Sequence, residues 1–350
     1  MPRNELNTYK KRDPYFDNAR FILVALVVLG HLISPARHDS DIIFFANNYV
    51  GSFRMPALVL ITGFFSKRFN QDGFYKKITL SILIPYLIFQ CFYSVLNDVI
   101  YGHEEIRAVL LQPSFAMWFL LSLFFWNSLL PVFTKFKHPI TISLFIGVGI
   151  GWLDSAGHYL SISRTFVFFP FFLIGHYLKS EHFNWFRKKF AKVVSLLSIG
   201  LSWLILSHFS MLEARLFLLA RSPYAEIADS YLEGTLFRII FYIVMMLGVV
   251  AVLPWIPKRE TFFSYRGRRT AYIYLLHILV IKLISVLELP HGIQLWHFAV
   301  IPAVWLLITF ATSSDFIVNL TRPLVEGKIA NFLFNDGEQS PKQTAVDYRE

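Results

Sequence analysis

Apolar residues fill ten long runs along the chain, and short polar segments separate these runs. The runs cover residues 16–34, 43–65, 78–97, 115–133, 139–153, 165–178, 192–210, 235–256, 271–287 and 295–312. A helix needs about 20 mostly apolar residues to cross the hydrocarbon core of a bilayer. The pattern therefore predicts an all-α, polytopic integral membrane bundle of about ten transmembrane helices. The short runs at 139–153 and 165–178 leave tilted, re-entrant or extended helices as alternatives.

The ends of the apolar pattern predict the domain boundaries. No good cleavage site follows the first run, so we expect a retained helix and not a signal peptide. Residues 1–15 are then a cytoplasmic N-terminal segment, 16–315 the transmembrane domain and 316–350 a cytoplasmic tail. The polar residues from Asp336 onward are typical of disorder.

Loop charge predicts the orientation. Most of the 33 Lys and Arg residues fall in alternate loops, for example at Arg187–Lys189 and Arg266–Arg269. Since positively charged loops stay in the cytoplasm, both termini are predicted to be cytoplasmic, and the alternation favours an even number of spans.

Composition supports a membrane protein and narrows the chemistry. Only 16% of the residues are charged, and the mean hydropathy is +0.50, whereas a soluble domain has about 25% charged residues. The net charge of +10 is explained by the topology signal, so we predict no nucleic-acid partner. The single cysteine, Cys91, excludes an intrachain disulfide and a cysteine-rich metal site.

Ionisable side chains inside a predicted span are costly, and each is a candidate for function. Arg20 and His31 share the first predicted helix, eleven residues apart. This spacing is close to three turns, so both side chains lie on one face, about 16 Å apart along the axis. Asp17, one turn before Arg20, is predicted to pair with it at the cytoplasmic entrance. In the alternative, Arg20 extends to the headgroups and His31 only marks the outer end of the helix.

Two further groups lie deep in predicted spans. Arg54 is near the middle of the second span, too far from either interface to reach it. Few acids occur in the spans, so Arg54 either binds an anion, polarises a carbonyl group or has a structural role. His277 follows Tyr274 by nearly one turn, and a hydrogen-bonded structural histidine is the alternative to a functional one.

Three cations lie towards the predicted outer helix ends. Arg164 begins the sixth span, and for Lys282 and Arg238 we predict snorkelling to the interface. Together with the deeper groups, Arg164 would form a polar track through the bundle. Such a track is expected of an enzyme whose two substrates arrive from opposite sides, and also of a transporter.

Short motifs occur in a fixed order over most of the chain, from residue 17 to about 280. They are Arg20 with His31; Phe53-Arg54-Met55-Pro56 with Thr62-Gly63-Phe64-Phe65; Ile84-Pro85-Tyr86-Leu87; Met117-Trp118-Phe119-Leu120; Ser163-Arg164-Thr165 with Phe169-Pro170-Phe171-Phe172-Leu173-Ile174-Gly175; and Tyr274-Leu275-Leu276-His277. The set resembles the membrane acyltransferase 3 family, and within it the fucose 4-O-acetylase-like branch. Two features depart from that branch: Arg54 stands where it often has histidine, and only Lys76 and Lys77 represent its basic pair before the third span.

The resemblance implies transfer of an acyl group, usually acetyl from acetyl-CoA, to a hydroxyl of an extracytoplasmic or lipid-linked carbohydrate. We assign His31 as general base and Arg20 as the group that orients the donor or stabilises the thioester oxyanion; a transient acyl-histidine is an alternative. The supporting residues are Asp17, Arg54, Arg164, Tyr274 and His277. The residues expected to bind the CoA phosphates are Arg68, Lys76, Lys77, Arg266, Arg268 and Arg269.

The remaining expectations concern partners and alternatives. Acetyl-CoA is expected as a co-substrate, with no bound cofactor and no metal site. Membrane lipid and a carbohydrate acceptor are the expected partners, in a multi-pass protein of the bacterial plasma membrane. An exporter of a polysaccharide or lipid-linked sugar is the main alternative, and a structural or regulatory membrane protein is a third. The sequence leaves open the acceptor, acetyl against succinyl transfer, and the oligomeric state.

Overall fold

The structure is a computed structural model that describes residues 12–101, 110–157, 159–285 and 297–333. Helices make up 81% of it. These ranges contain no strand, which confirms the all-α prediction. The predicted disordered end, from Asp336, lies outside the described residues.

Fourteen α-helices occur in the described ranges. They are α1 (Pro14–Leu32), α2 (Asp41–Phe64), α3 (Phe74–Ile78), α4 (Ile84–Tyr101), α5 (Met117–Phe133), α6 (Pro139–Gly149), α7 (Ile162–Tyr177), α8 (Ser180–Phe186), α9 (Lys189–Leu206), α10 (Met211–Leu219), α11 (Tyr231–Val252), α12 (Thr270–Ser285), α13 (His297–Thr312) and α14 (Asp315–Val325). Each predicted apolar run contains a helix. Helices α3, α8, α10 and α14 were not predicted.

A π turn at Thr79–Leu83 joins α3 to α4. It ends two residues before Pro85, which has no N–H group to donate to the preceding turn. The two helices therefore run on as one long element.

By length and composition, four elements in the described ranges are able to cross a membrane. These are Pro14–Leu32, Phe74–Ile100, Lys189–Leu206 and Tyr231–Trp255. A fifth span is possible if Ala299–Thr312 and Asp315–Ala330, which meet at a bend of 63°, count as one broken span. Membrane-spanning helices are thus supported, while the count of about ten and the orientation stay predictions.

Helix α1 lies inside the bundle and contacts α2, α12 and α13. Its N-terminal end is fixed by Asn18, which is fully buried. The Asn18 amide nitrogen donates to the carbonyl oxygens of Pro257 and Arg259, both at 2.9 Å, and its amide oxygen accepts from the Ser264 hydroxyl at 2.6 Å. One side chain therefore ties the loop before α12 to the start of α1.

Helices α2 and α7 cross with their backbones in close contact. A methyl group built on Gly63 would overlap the carbonyl oxygen of Phe172, and one on Gly175 would overlap the carbonyl oxygen of Leu60. Small residues at a crossing let membrane helices approach to this degree. The two glycines thus set the distance between α2 and α7.

Two cations predicted to snorkel are buried instead, so that prediction is wrong. Arg238 is 1% exposed and donates to the carbonyl oxygen of Phe217 at 2.8 Å. Lys282 is 9% exposed and donates to Asn97 Oδ1 at 3.2 Å. Each group has a local acceptor within the bundle and lies away from the surface, although Arg238 Nε is buried without a partner in the described residues.

The segment predicted as a C-terminal tail begins with folded structure. Helix α14 packs on α12, where the Tyr272 hydroxyl donates to Glu326 Oε1 at 2.8 Å. Gly327 follows with φ +64, and a methyl group on it would overlap the carbonyl oxygen of Leu80. At least the described part of this segment, to residue 333, is therefore attached to the bundle.

Candidate functional site

Helix α1 carries the two residues of the predicted first motif at opposite ends. Asp13 caps the helix by accepting from the Tyr15 amide at 3.0 Å, and Pro14 occupies the first turn, where its missing N–H costs nothing. His31 lies in the last turn. Because α1 begins at Pro14, it includes both residues, and Arg20 lies about 16 Å before His31 along the helix axis.

A cavity of about 440 Å³ lies at the His31 end of α1. Its lining residues are Val27, His31, Ser34, Asn47, Asn48, Gly51, Arg54, Met55, Pro113, Phe115, Trp118, Arg164, Phe168, Arg215, Leu218, Leu219, Arg221 and Tyr274. The structure thus brings together four of the predicted site residues: His31, Arg54, Arg164 and Tyr274. The volume lies in the range of ligand pockets, about 300–1,000 Å³.

Arg20 is not among the lining residues. Its guanidinium carbon lies 3.9 Å from the centroid of the Phe65 ring, just beyond the end of α2. Asp17, predicted to pair with Arg20, instead pairs with Arg12 at 2.5 and 2.7 Å and lies 3.6 Å from Arg268. Residues 17 and 20 therefore belong to the far end of α1 and not to the cavity.

His31 lies against a second histidine. The His31 and His277 rings are 5.3 Å apart between centroids. His277 is fully buried, and its Nδ1 lies 3.0 Å from the carbonyl oxygen of Ile273. Because a carbonyl oxygen only accepts, Nδ1 carries the proton, and His277 Nε2 is an acceptor without a partner in the described part of the chain. The imidazole of His31 makes no hydrogen bond within those residues, so it is available to a ligand.

The hydroxyl of Tyr274 bonds to the backbone and not to either histidine. Its hydroxyl donates to the carbonyl oxygen of Ala116 at 2.6 Å, which ties α12 to the start of α5. Its ring lies 5.9 Å from that of His277. Tyr274 therefore contributes a wall of the cavity and positions α12.

Arg54 reaches from α2 to the backbone of α1. Its Nη1 lies 3.4 Å from the carbonyl oxygen of Leu26 and 3.3 Å from Asn47 Oδ1. A methyl group on Gly30 would overlap this guanidinium. The glycine before His31 thus makes room for a cation beside the imidazole.

Three more arginines complete the basic lining. Arg164, at the start of α7, donates from Nε to the carbonyl oxygen of Leu219 at 3.2 Å, and its guanidinium lies 5.0 Å from the Trp118 ring. Arg215 lies on α10, and Arg221 follows that helix. Burial, together with the charges of Arg37 and Arg221, lowers the pKa of Arg215 to about 10. Arg215 still carries its charge at neutral pH.

The residues predicted to bind CoA phosphates lie at the end of the bundle where α1 begins. Arg266 Nη1 donates to the carbonyl oxygen of Phe310 and to Ser313 Oγ, both at 3.0 Å. Arg269 pairs with Asp315 at 2.5 Å. These two arginines hold the junction of α13 and α14.

The other four predicted phosphate ligands are Arg68, Lys76, Lys77 and Arg268. Lys76 and Lys77 are exposed in the short helix α3. Arg268 is bound to Asp17 at the start of α1. None of the six lines the cavity.

Sequence reasoning missed several lining residues. Asn47 and Asn48 form an amide pair within an apolar run, about two turns before Arg54. This pair of polar side chains is the signal that could have identified them. Asn48 Nδ2 donates to the carbonyl oxygen of Met211 at 2.7 Å and so holds α10 at the cavity. Arg215 and Arg221 lie between the apolar runs 192–210 and 235–256, where basic residues are common, so nothing in the sequence marked them as candidates.

A family model described as an acyltransferase domain, that of the acyltransferase 3 family, matches residues 13–314. No curated protein and no solved structure matches the chain.

Proposed function

Because the chain belongs to the acyltransferase 3 family, and is thus a membrane acyltransferase, we propose that it moves an acetyl or similar acyl group from cytosolic acyl-CoA to a carbohydrate hydroxyl. The carbohydrate is extracytoplasmic or lipid-linked. The observation that carries this proposal is the imidazole of His31, which makes no protein hydrogen bond in the described residues and faces a cavity lined by arginines.

His31 acts as the general base in this mechanism. A neutral imidazole accepts the proton of the acceptor hydroxyl while the hydroxyl oxygen attacks the thioester carbonyl carbon. The carbon–sulfur bond then breaks, and the CoA thiolate leaves and takes the proton back from the imidazolium. The products are the O-acyl ester and free CoA thiol, and His31 returns to its neutral form.

Arg54 stabilises the oxyanion that forms during the attack. Its guanidinium lies against Gly30, adjacent in the chain to His31, and is held by Leu26 and Asn47. A preorganised cationic donor at this position costs no reorganisation when the charge develops. This role falls to Arg54 more readily than to Arg20, which lies outside the cavity.

The donor enters from the opposite end of α1. Arg20 lies on that side, as do the exposed Lys76 and Lys77. Cationic side chains bind phosphate by charge-assisted hydrogen bonds. Arg266 and Arg269 are the weaker candidates for CoA binding because their guanidinium groups already hold α13 and α14.

Export of a polysaccharide or lipid-linked sugar is the alternative. An arginine-lined cavity in a membrane bundle would suit a transported anion as well. Transport leaves the substrate covalently unchanged, however, and gives no particular reason for an unpaired imidazole beside a cation.

Substitution of His31 tests the proposal. We expect His31→Ala to lower transfer of radiolabelled acetyl from acetyl-CoA to membrane glycans by about 10²–10⁴-fold, the usual contribution of a general base. The measurement uses purified protein in proteoliposomes, with folding monitored by size-exclusion chromatography.

His208→Ala is the matched control. His208 is exposed near the end of α9 and interacts with the carbonyl oxygen of Leu204, so its loss leaves the cavity intact. Full acetyl transfer by His31→Ala would rule out the catalytic role of this residue. Movement of an unmodified sugar without labelled product would favour the exporter.

A further inference from the structure

Four arginines line the cavity, and none of the described lining residues is an acid. Arg54 comes from α2, Arg164 from α7, Arg215 from α10 and Arg221 from the loop that follows. Elements far apart in the chain therefore converge to bring four positive charges to one space of about 440 Å³.

No carboxylate in the described ranges neutralises these four arginines. The ion pairs there involve other cations, namely Arg12, Arg187, Arg268, Arg269, Arg322 and Lys328. Arg54 and Arg164 have backbone carbonyl or amide oxygens as partners, which satisfy N–H groups but carry no full charge. The Nε of Arg221 is buried without any partner in the described residues.

A fifth cation adds to the repulsion. Arg37 donates from Nη1 to the backbone and side-chain oxygens of Ser34, both at 2.7 Å, at the rim of the cavity. The charge of Arg221 acts on Arg37, and the charges of Arg37 and Arg221 act on Arg215. Like charges gathered in a partly buried space are costly, because neither water nor a counter-charge fully compensates them. A bound anion removes that cost.

We propose that this cavity binds an anionic group of the acceptor, a phosphate or carboxylate carried by the sugar that receives the acyl group. The inference rests on the proposed function, since it names the substrate class for the same site. Guanidinium groups suit both anions, because their planar donors match two oxygens at once. The volume accommodates a sugar unit together with its charged group.

Arg164, Arg215 and Arg221 serve the acceptor and not the phosphates of CoA, while Arg54 lies at the reacting carbonyl. The cavity lies at the C-terminal end of α1, whereas the residues proposed for the donor lie at its N-terminal end. If the acyl end of the donor reaches His31 from that side, its phosphates trail behind, about 16 Å away near Arg20. Arg215 and Arg221 then lie beyond the reacting carbonyl, on the side of the attacking hydroxyl.

A set of matched probes tests this inference. Purified protein in phosphatidylcholine nanodiscs is titrated with glucose, glucuronate, glucose 1-phosphate and CoA, and Kd is obtained from ligand-dependent thermal stabilisation. The zwitterionic lipid keeps anionic headgroups from competing for the site. We expect glucuronate and glucose 1-phosphate to bind at least about tenfold more tightly than glucose, with affinity that falls as salt rises.

Substitution of two arginines locates the binding. Arg215→Gln and Arg221→Gln, singly and together, should weaken binding of both sugar anions by about tenfold or more. Arg215→Lys should weaken it less than Arg215→Gln, because it keeps the charge but loses the planar pair of donors. Lys189→Gln is the matched control, since it removes one exposed positive charge at the start of α9. Arg215→Lys also reports on binding if the glutamine variants fail to fold.

The outcomes separate the possible sources of the anion. Equal binding of glucose and the sugar anions would overturn the inference. So would glutamine variants that weaken CoA and leave the sugar anions unaffected, because the arginines would then hold donor phosphates. Binding of the sugar anions without transfer of acetyl to any hydroxyl would support the anion site and contradict the proposed acyl transfer.

Discussion

At the scale of single residues, the cavity depends on the lack of a side chain at Gly30 as much as on the side chains that line it. Gly30 has no Cβ, and the guanidinium of Arg54 fills the space that a methyl group would occupy. Arg54 thereby reaches the carbonyl oxygen of Leu26 and lies next to His31. Any larger residue at position 30 displaces the cation from the imidazole.

Substitution of Gly30 by alanine tests this arrangement. We expect Gly30→Ala to lower acetyl transfer by about 10²-fold, the cost of removing one oxyanion donor. Folding should be little affected, because alanine favours the helix and the guanidinium is the flexible end of a side chain. Acetyl transfer by purified protein is the measurement, and thermal denaturation checks the fold.

Gly200→Ala is the control for this change. Gly200 lies within α9, and a methyl group there meets open space. Its activity should equal that of the wild type. A Gly30→Ala protein with normal activity would show that Arg54 does not act from its observed position.

Site residues could be predicted from the sequence where a charged or polar residue interrupts an apolar run. Arg54 and His277 stood out because they lie in apolar runs, and both are at or beside the cavity. Arg215 and Arg221 could not be recognised, because a basic residue in a loop is ordinary and its approach to α2 depends on tertiary packing. Arg238 and Lys282 were misjudged because carbonyl and amide acceptors within the bundle are invisible in the sequence.

At the scale of elements, the crossing of α2 and α7 fixes the relative position of two arginines. Helix α2 carries Arg54, and α7 carries Arg164 near its first turn. Gly63 and Gly175 bring the other ends of the two helices into backbone contact. The apolar pattern predicted both helices but not α10, whose nine residues are too few to produce a long apolar run.

Gly63→Ala and Gly175→Ala should each destabilise the protein by about 1–3 kcal/mol, the usual cost of overpacking. Each added methyl group overlaps a backbone carbonyl oxygen, which cannot move aside as a side chain would. The measurement is the apparent melting temperature in detergent, with Gly200→Ala as the neutral comparison.

The double variant sharpens this test. Both methyl groups push apart the same pair of helices, so the combined effect should be smaller than the sum of the single effects. Strict additivity would mean that the two glycines act independently, and single variants as stable as Gly200→Ala would contradict the close crossing.

At the scale of the whole molecule, the proposed chemistry requires that the cavity and the donor entrance face opposite sides of the membrane. Within the described ranges, four or five elements are long and apolar enough to span, fewer than the ten predicted. Helix α2 has 24 residues but carries Arg54 and two asparagines, and α7 and α12 have only 16 each. Their polar groups and short lengths set these three helices apart from the four or five candidate spans, and the count of about ten stays a prediction.

Cysteine accessibility tests the predicted orientation, because both counts place an odd number of spans between Asp39 and Lys189. Five predicted runs lie between Asp39 and Lys189, and an odd number of crossings puts these two exposed positions on opposite faces. In a Cys91→Ala background, which has no other cysteine, we expect Asp39→Cys to react with a membrane-impermeant maleimide in intact cells. Lys189→Cys should react only after permeabilisation, because its basic loop is predicted to stay in the cytoplasm.

Labelling of both positions from outside would mean an even number of crossings between them, and labelling of Lys189→Cys alone would invert the orientation. The inverted orientation would place the cavity rim, which includes Ser34 five residues before Asp39, on the cytoplasmic face, in conflict with an acceptor that arrives from outside.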